Sequence, residues 1–546
     1  MSSDIPSLMP PESPSAPTET GTATAHGVAA RGVASSAVIV GIGQLLSRLM
    51  GFLREVVIAG IFGSSAAVSS FTIAGAVPQM IYDLLLGGMV SAALVPVLSE
   101  YAGRGDREEL GRVTSTLLTI GVAVFVGIVL VLELLAPVLA VLLGGGFAAS
   151  LRQLTTFLIR LILPSLVFFC AWGIAAAVLY ARQQFVFPAL ASAVYNLGVI
   201  LAALFLASRF NIAALSLGVV LGAFLQLLIV LPGLRGLPLR VRFDIRHPAL
   251  KRIVLLYLPV IASLIVANLG IVIDRNLASR TVDQAVAWMK YATFLIQLPL
   301  GLVSVAIATA TLPALARLSS PDDVARFRRT LAGALRLVLV LILPATVAIL
   351  VLGQEAIRAA LEHGAFTSFD TAQVTRALLF YLPGLPFAAI DQPLVFAFYA
   401  RKDTITPVWV GIAGVGAYLA VGPLLAFGLG LGFIGLVIAN AMQLISHCII
   451  MWVMLQRRVG TMAGLGLLHT ASRAAVASGL AGLGMLAGMV GARALFPGPG
   501  TVPAAVSLAG GGALGLTVYV AALAGLQVEE LTIFLSMARN RLRRPA

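Results

Sequence analysis

The sequence predicts an all-α polytopic membrane protein of about 14 transmembrane helices, arranged as two six-helix bundles related by a pseudo-two-fold along the membrane normal plus two C-terminal helices. Three observations predict it. Hydrophobic residues make up 60% of the chain and charged ones 11%, with a mean hydropathy of +1.02, whereas an ordinary soluble domain carries about 25% charged residues. Apolar runs long enough to cross ~30 Å of hydrocarbon, about 20 residues each, succeed one another from residue 34 to residue 527. A set of residues in the first half recurs, in register, in the second.

The elements follow in order. Residues 1–32 are rich in Ser, Pro, Thr and Ala, hold no apolar core of signal-peptide length, and are expected to form a disordered cytoplasmic tail. The first six apolar spans are 34–62, 67–100, 111–142, 151–181, 185–207 and 212–234, within an N-terminal bundle of 33–235. A basic cytoplasmic linker, 236–248, leads to a second bundle of 249–458, with spans 249–277, 284–316, 324–352, 370–400, 405–428 and 431–456. Two further spans, 466–494 and 502–527, occupy 459–527. The tail 528–546 reads as a short basic amphipathic helix ending in arginines, suited to an anionic inner leaflet.

Loop charge sets the orientation. Arg104, Arg107, Arg112, Arg182, Arg235, Arg240, Arg242, Arg246, Lys251 and Arg252 fall on one side of this count. Arg326, Arg328, Arg329, Arg401, Lys402, Arg457, Arg458 and the tail arginines join them, while the opposite loops hold isolated cations such as Arg152, Arg209, Arg280, Arg358 and Arg493. The positive-inside rule then puts both termini in the cytoplasm. It also gives the net charge of +14 a topological origin rather than a nucleic-acid one.

The repeat is visible without alignment. Tyr180-Ala181-Arg182 with Pro188 returns 219 positions later as Tyr399-Ala400-Arg401 with Pro407, and Pro164 returns as Pro383 at the same offset. Gly218 and Gln226 match Gly435 and Gln443 at 217. An even number of spans, about six, separates equivalent points, so the copies share one orientation and enclose a central cavity, a common transporter plan. Gly430-Leu431-Gly432-Phe433-Ile434-Gly435 has GxGxxG form, yet it lies between two spans with no strand before it and predicts no nucleotide site. Pro78, Pro96, Pro164, Pro299, Pro313 and Pro383 fall inside spans and are expected to bend helices or free backbone groups. Cys170 and Cys448 sit in apolar runs, five scattered histidines give no metal-ligand spacing, and no nucleophile and base stand at a recognisable spacing. No disulfide, metal site, cofactor or catalytic residue is expected.

Charges inside spans carry the functional signal, because a charge in hydrocarbon needs a partner or a water-filled cavity. Arg48 and Arg54 lie six positions apart in the first span, about 120° around a helix, so both can border a broad cavity that accepts an anionic ligand. The alternative is that Arg54 pairs with Glu55 and only holds helices together.

Four stretches resemble the MurJ (MviN) lipid II flippase family, part of the superfamily that also holds multidrug and oligosaccharide-lipid exporters. They are Leu46-Ser47-Arg48-Leu49-Met50-Gly51-Phe52-Leu53-Arg54-Glu55; Pro78 through Asp83, Gly87 and Gly88 to Val95-Pro96 and Ser99-Glu100-Tyr101; and Ile273-Asp274-Arg275 with Tyr291-Ala292 and Gln297-Leu298-Pro299-Leu300-Gly301. The fourth runs from Gly364-Ala365-Phe366-Thr367 through Asp370-Thr371 and Gly384-Leu385-Pro386 to Phe398-Tyr399-Ala400-Arg401-Lys402-Asp403-Thr404-Ile405-Thr406-Pro407. The resemblance implies transport of an undecaprenyl-diphosphate-linked peptidoglycan precursor from the inner to the outer leaflet by alternating access, with its tail along a groove of the last two spans. Cell-wall synthesis proteins are candidate partners.

It also implies that Arg48 and Arg54 match two phosphate-gripping arginines. The chain departs from the pattern at two further arginine positions, which fall at Tyr82 or Asp83 and at Phe294. Lys290, one helical turn before Phe294, is expected to return a positive charge, or else to extend its ammonium toward water. Asp83 is expected to pair with Arg54 or Arg48. Glu133, Asp274 and Asp391 are candidates for coupling to an ion or to the membrane potential, with Asp274 beside Arg275 also readable as a structural pair. Rival readings are a flippase for another polyprenyl-linked glycan, a drug exporter of the same fold, and an inactive scaffold for cell-wall enzymes. A cationic drug calls for an acidic cavity, which Arg48 and Arg54 oppose.

Overall fold

In the computed structural model the described residues are 20–84, 89–498 and 500–530, by backbone alone at 20–38, 91–92, 256–263 and 266–267. Every regular element among them is helical. The first half holds α1 (Thr20–Phe62), α2 (Ala66–Tyr82), α3 (Val95–Gly103), α4 (Arg107–Gly144), α5 (Ala149–Ile162), α6 (Ser165–Ala181), α7 (Val186–Phe210) and α8 (Ala213–Val230). The second holds α9 (Pro248–Ser279), α10 (Ala285–Pro299), α11 (Val305–Arg317), α12 (Val324–Leu361), α13 (Ser368–Tyr381), α14 (Leu385–Ala400), α15 (Ile405–Pro423) and α16 (Phe433–Val459). Last come α17 (Leu467–Leu495) and α18 (Thr501–Gly525).

Eleven helical stretches among the described residues are long and apolar enough to cross a membrane. The other three expected spans fall in α1, in α2 with α3, and in α9. The first of these carries Arg48, Arg54 and Glu55 within a span's length, and the other two include positions outside the full description. Helix α1 begins at Thr20, inside the stretch expected as a disordered tail. Prolines 6, 10, 11, 14 and 17 all precede it, so nothing in 20–32 removes a helical donor. Residues 1–19 and the expected amphipathic segment from 531 onward lie outside the described residues.

Helix breaks fall where proline deletes a backbone donor. Pro164 separates α5 from α6, and Pro383 separates α13 from α14 through a tight turn at Leu382–Gly384. Pro299 and Pro423 are each followed by a π-helical turn, Leu300–Ser304 and Leu424–Gly428. Another π-turn, Val90–Leu94, precedes α3.

The helices form two bundles that pack by the same rule. In the first, α1 packs on α7, α7 on α8, α6 on α8, α2 on α5, and α4 on α5 and α6. In the second, α9 packs on α15, α15 on α16, α14 on α16, α10 on α13, and α12 on α13 and α14. The backbone repeats too: Gln183 and Lys402, 219 residues apart, both adopt left-handed conformations, with φ of 58° and 60°. Helices α17 and α18 pack together and against α12, where the Tyr519 hydroxyl donates to the Val340 carbonyl.

Between the two bundles, hydrogen bonds gather at the end opposite the basic loops. Trp288 Nε1 donates to Ser64 Oγ at 2.7 Å, and Ser64 Oγ donates to Asp370. Tyr291 donates its hydroxyl proton to the Gly63 carbonyl at 3.1 Å, and the Ala365 N–H donates to the Gly60 carbonyl at 2.8 Å. A Cβ on Gly364 would lie 2.1 Å from that Gly60 oxygen, and its φ is +59°, so the turn must be glycine to reach α1 this closely. Gly146 N–H to Ser279 Oγ (3.0 Å) and Asn276 Nδ2 to the Leu142 carbonyl (2.8 Å) extend the closure. At the basic end Arg252 bridges to both oxygens of Glu100 at 2.6 and 2.7 Å.

Candidate functional site: a cationic seam between the bundles

The charged residues of α1 meet α10 across the interface of the two bundles. Arg54 donates to Glu55 Oε1 from Nη2 at 2.7 Å and from Nε at 3.2 Å, while Lys290 Nζ lies 2.5 Å from Glu55 Oε2. Glu55 is therefore shared by two cations. Its side chain is 2% exposed, against 18% for Lys290 and 26% for Arg54. The carboxylate is sealed while both cations keep a face toward open space. Lys290 Nζ also lies 5.2 Å from the centre of the Tyr291 ring, an electrostatic contact with its π face.

Below this triad the seam continues antiparallel. Phe52 of α1 stacks on Phe294 of α10 with ring centres 6.2 Å apart. Arg48 lays its guanidinium against Gly301 in the π-turn after α10: a Cβ there would fall 2.3 Å from both Nη1 and Nη2. Only glycine leaves room for that side chain. Arg48 is half-buried and has no carboxylate partner among the described residues. π-turns recur at functional sites because they aim backbone and side chains off the regular helical course.

The arrangement thus combines two of the readings open to Arg54. It does pair with Glu55, and through Glu55 and Lys290 it belongs to a group bridging the two bundles. Lys290 stands one turn from Phe294, and its nearest partner is this carboxylate. Asp83 departs from expectation: it accepts a 2.9 Å bond from Gln79 Nε2 on its own helix rather than pairing with Arg48 or Arg54. A short i to i+4 amide contact is available to it locally, whereas Glu55 already occupies Arg54. Tyr82 joins an aromatic cluster with Phe169 and Trp172, ring centres 5.6 and 6.1 Å away. The formal charge of Arg48, Arg54, Lys290 and Glu55 is +2. Such a group can receive a phosphate oxygen in exchange for the carboxylate, with guanidinium as a fork and ammonium as a point charge.

The remaining sequence candidates lie elsewhere. Asp274, Arg275 and Asp391 line a separate cavity of about 650 Å³ inside the second bundle. Asp274 accepts from the Tyr418 hydroxyl at 2.7 Å, and Asp391 lies 3.0 Å from His447 Nδ1. Glu133 is half-buried and lies 3.9 Å from the exposed Arg160. Sequence reasoning missed Gly301, Ser64, Trp288, Tyr418 and His447. Gly301 stood in a recognised motif without a stated reason, and His447 carries no local signal because its partner is 56 residues away.

Comparison with known proteins places the chain in a family. Residues 58–497 match the family model described as lipid II flippase MurJ. The chain is 30% identical to a probable lipid II flippase MurJ of Vibrio cholerae over 75% of this chain and 80% of that protein. It is 33% identical to the lipid II flippase MurJ of Burkholderia cenocepacia over 67% of this chain and 73% of the other. Among solved structures, a lipid II flippase MurJ in an inward closed conformation superposes with a TM-score of 0.72 at 22% identity, covering 93% of this chain and all of that one. An inward-facing multidrug transporter of the MATE family gives 0.65 at 15% identity, covering 78% and 98%. At these identities the two superpositions speak to the fold.

Proposed function

Because the chain belongs to the MurJ lipid II flippase family, we propose that it moves lipid II, an undecaprenyl-diphosphate-linked peptidoglycan precursor, from the inner to the outer leaflet of a bacterial cytoplasmic membrane. The single observation that carries this reading is the seam across the bundle interface in which one sealed carboxylate joins Arg54 to Lys290 while Arg48 lies against Gly301. A diphosphate is the anion such a seam suits.

The mechanism follows from charge. With no ligand, Glu55 stands in for the anion and spares Arg54 and Lys290 the cost of unpaired burial. An arriving diphosphate competes with Glu55 for both cations and meets Arg48, whose charge no carboxylate among the described residues neutralises. Exchange of carboxylate for phosphate loosens the only ion pair that ties α1 to α10 among the described residues, and the bundles become free to rock. With the basic loops in the cytoplasm and both termini on that side, the bonded end is the outer one. Opening there requires release of the Ser64, Trp288 and Asp370 cluster. The polyprenyl tail stays in the bilayer, along α17 and α18.

Tyr82, Asp83 and Phe294, standing where two more arginines are expected, favour a second reading in which a different polyprenyl-diphosphate glycan is the cargo. Depletion of a host's own lipid II flippase, with rescue by this chain, tests the first reading. Rescue that disappears with Arg48→Ala and with Arg54→Ala supports it. Failure of the parent chain to rescue, while it translocates another polyprenyl diphosphate in vesicles, selects the second.

A further inference from the structure

The linker between the two bundles is laid along α4. A Cβ on Gly111 would fall 2.6 Å from Pro238 Cδ, the Arg240 N–H donates to Ser115 Oγ at 3.0 Å, and the Arg242 N–H donates to Thr119 Oγ1 at 3.1 Å. Contacts thus step by four residues on the helix and by two on the linker. Four helical residues rise about 6 Å and two extended ones about 6.6 Å, so the two chains keep pace. The linker then turns back: Asp244 meets Arg112 at 3.3 Å, His247 meets Glu109 at 3.3 Å, and α9 starts at Pro248.

The stripe of α4 that the linker covers is the one left bare further along. Gly111, Ser115 and Thr119 continue at helical spacing as Ala123, Val126, Leu130 and Leu134, all four of them exposed and apolar. The tip of the linker, at Thr119, lies roughly 18 Å past the start of α4 by helical rise, where the polar part of that stripe ends. Extended backbone goes no deeper into hydrocarbon, because its unpaired N–H and C=O groups need water. Alternation along the extended stretch sorts the side chains. Val241 and Phe243 are 86% and 68% exposed, and Ile245, in the turn that follows, is 77% exposed. Between and beside them stand Arg240, Arg242, Asp244 and Arg246. Asp244 is taken by Arg112 and Glu109 by His247, whereas Arg240, Arg242 and Arg246 have no carboxylate partner among the described residues.

We propose that residues 238–246 form an interfacial strap, with Val241, Phe243 and Ile245 in the edge of the bilayer hydrocarbon and Arg240, Arg242 and Arg246 on phospholipid phosphates. Continuity with the bare apolar stripe of α4 says what covers the strap: the lipid that meets Leu130 and Leu134 also meets Phe243 one to two turns below. Guanidinium groups without carboxylates suit the phosphate layer that borders that hydrocarbon. A protein partner would have to displace lipid from the same stripe. Each contact of the strap named above is to the first bundle, so the strap travels with that bundle and fixes its depth. The choice of inner leaflet rests on the orientation proposed above; insertion itself does not, and neither depends on the cargo.

The test uses the full chain with single spin labels in nanodiscs of phosphatidylcholine, with or without phosphatidylglycerol, and no polyprenyl lipid. Glu108→Cys supplies the water reference and Leu134→Cys the hydrocarbon reference, both at exposed positions, and the parent chain, whose Cys170 and Cys448 are buried, supplies the blank. Expected at Val241→Cys and Phe243→Cys is a ratio of oxygen to nickel-chelate accessibility several-fold above that at Glu108→Cys and approaching that at Leu134→Cys. Phosphatidylglycerol should raise the ratio at Phe243→Cys, and replacing Arg240, Arg242 and Arg246 together by Gln should abolish that rise. Thr119→Val, which deletes the acceptor of the Arg242 N–H, should make the Phe243→Cys label more mobile. A ratio equal to that of Glu108→Cys overturns the strap in favour of a solvated loop, and a label closed to both reagents overturns it in favour of a protein-covered face. A ratio that rises only when a polyprenyl diphosphate is added overturns the bilayer contact in favour of a cargo site. A high ratio indifferent to lipid charge and to the three arginines overturns the phosphate contacts.

Discussion

Removing Glu55 should unbalance the seam more than removing Lys290 and Glu55 together. At 2.5 Å the gross attraction between the two is roughly 7 kcal/mol at an effective dielectric near 20, and desolvation of both groups returns much of it. Lys290→Met strands a carboxylate that is 2% exposed with Arg54 alone on one of its oxygens, and a broken buried pair costs about 3–5 kcal/mol. Glu55→Gln leaves Arg54 and Lys290 as close like charges, a loss of the same order. The double variant exchanges the pair for an amide and an apolar chain, which relieves the repulsion between the two cations but leaves Arg54 without its carboxylate. Equilibrium unfolding of the purified protein in detergent, as a double-mutant cycle, should therefore show a coupling of ~2 kcal/mol or more, above the ~0.5 kcal/mol scatter of independent sites. The double variant should be more stable than Glu55→Gln alone but below wild type, because Arg54 has lost its carboxylate, and it should still fail to rescue a flippase-depleted host, since a cation proposed to grip phosphate is gone. Additive single effects would refute the bridge, and full rescue by the double variant would refute its role in binding.

Other outcomes follow from the same geometry. Gly301→Ala should fold normally, because Ala gains roughly 0.5–1 kcal/mol over Gly in a helix and the obstructed group is the mobile tip of Arg48; transport should nonetheless fall, as measured by rescue. Trp288→Phe removes the indole donor to Ser64 and Asp370, so cysteines placed in the Phe62–Ala66 turn should become more reactive to a membrane-impermeant thiol reagent than in the parent. At the basic end, burial tends to raise the Asp403 carboxyl, but the Thr406 N–H and hydroxyl, the Arg458 charge and the Ile405 N–H outweigh it and hold it below its ordinary value of 3.8. A depressed carboxyl stabilises the fold above that value and stops doing so as pH falls through its lower folded value. Asp403→Asn should thus lower thermal stability at neutral pH, with the gap to wild type closing below about pH 3.8, as followed by unfolding scans across pH.

Much of the architecture was legible in one dimension. Span length and composition dictate helices in a membrane, since only a helix or a closed barrel satisfies its backbone without water. The register of Tyr180-Ala181-Arg182 with Tyr399-Ala400-Arg401 announced the duplication, and the left-handed residues that follow, Gln183 and Lys402, show it was a backbone repeat as well. Arg48 and Arg54 drew attention because a guanidinium in an apolar run has no cheap explanation. The order of helices and the residues worth attention were thus set by local sequence.

Partnership was not. Glu55 is adjacent to Arg54 in sequence, yet its second cation, Lys290, is 235 residues away and arrives only because α1 and α10 run antiparallel across the bundle interface. Asp83 turned to Gln79 on its own helix for the same reason, as Glu55 had already filled Arg54. His447 came to Asp391, and Tyr418 to Asp274, through helix packing that no spacing encodes. Solvation chose the segments, because each run of side chains meets the bilayer alone; the chemistry came from contacts between segments, because charges in a low-dielectric interior are settled pairwise and over long stretches of chain.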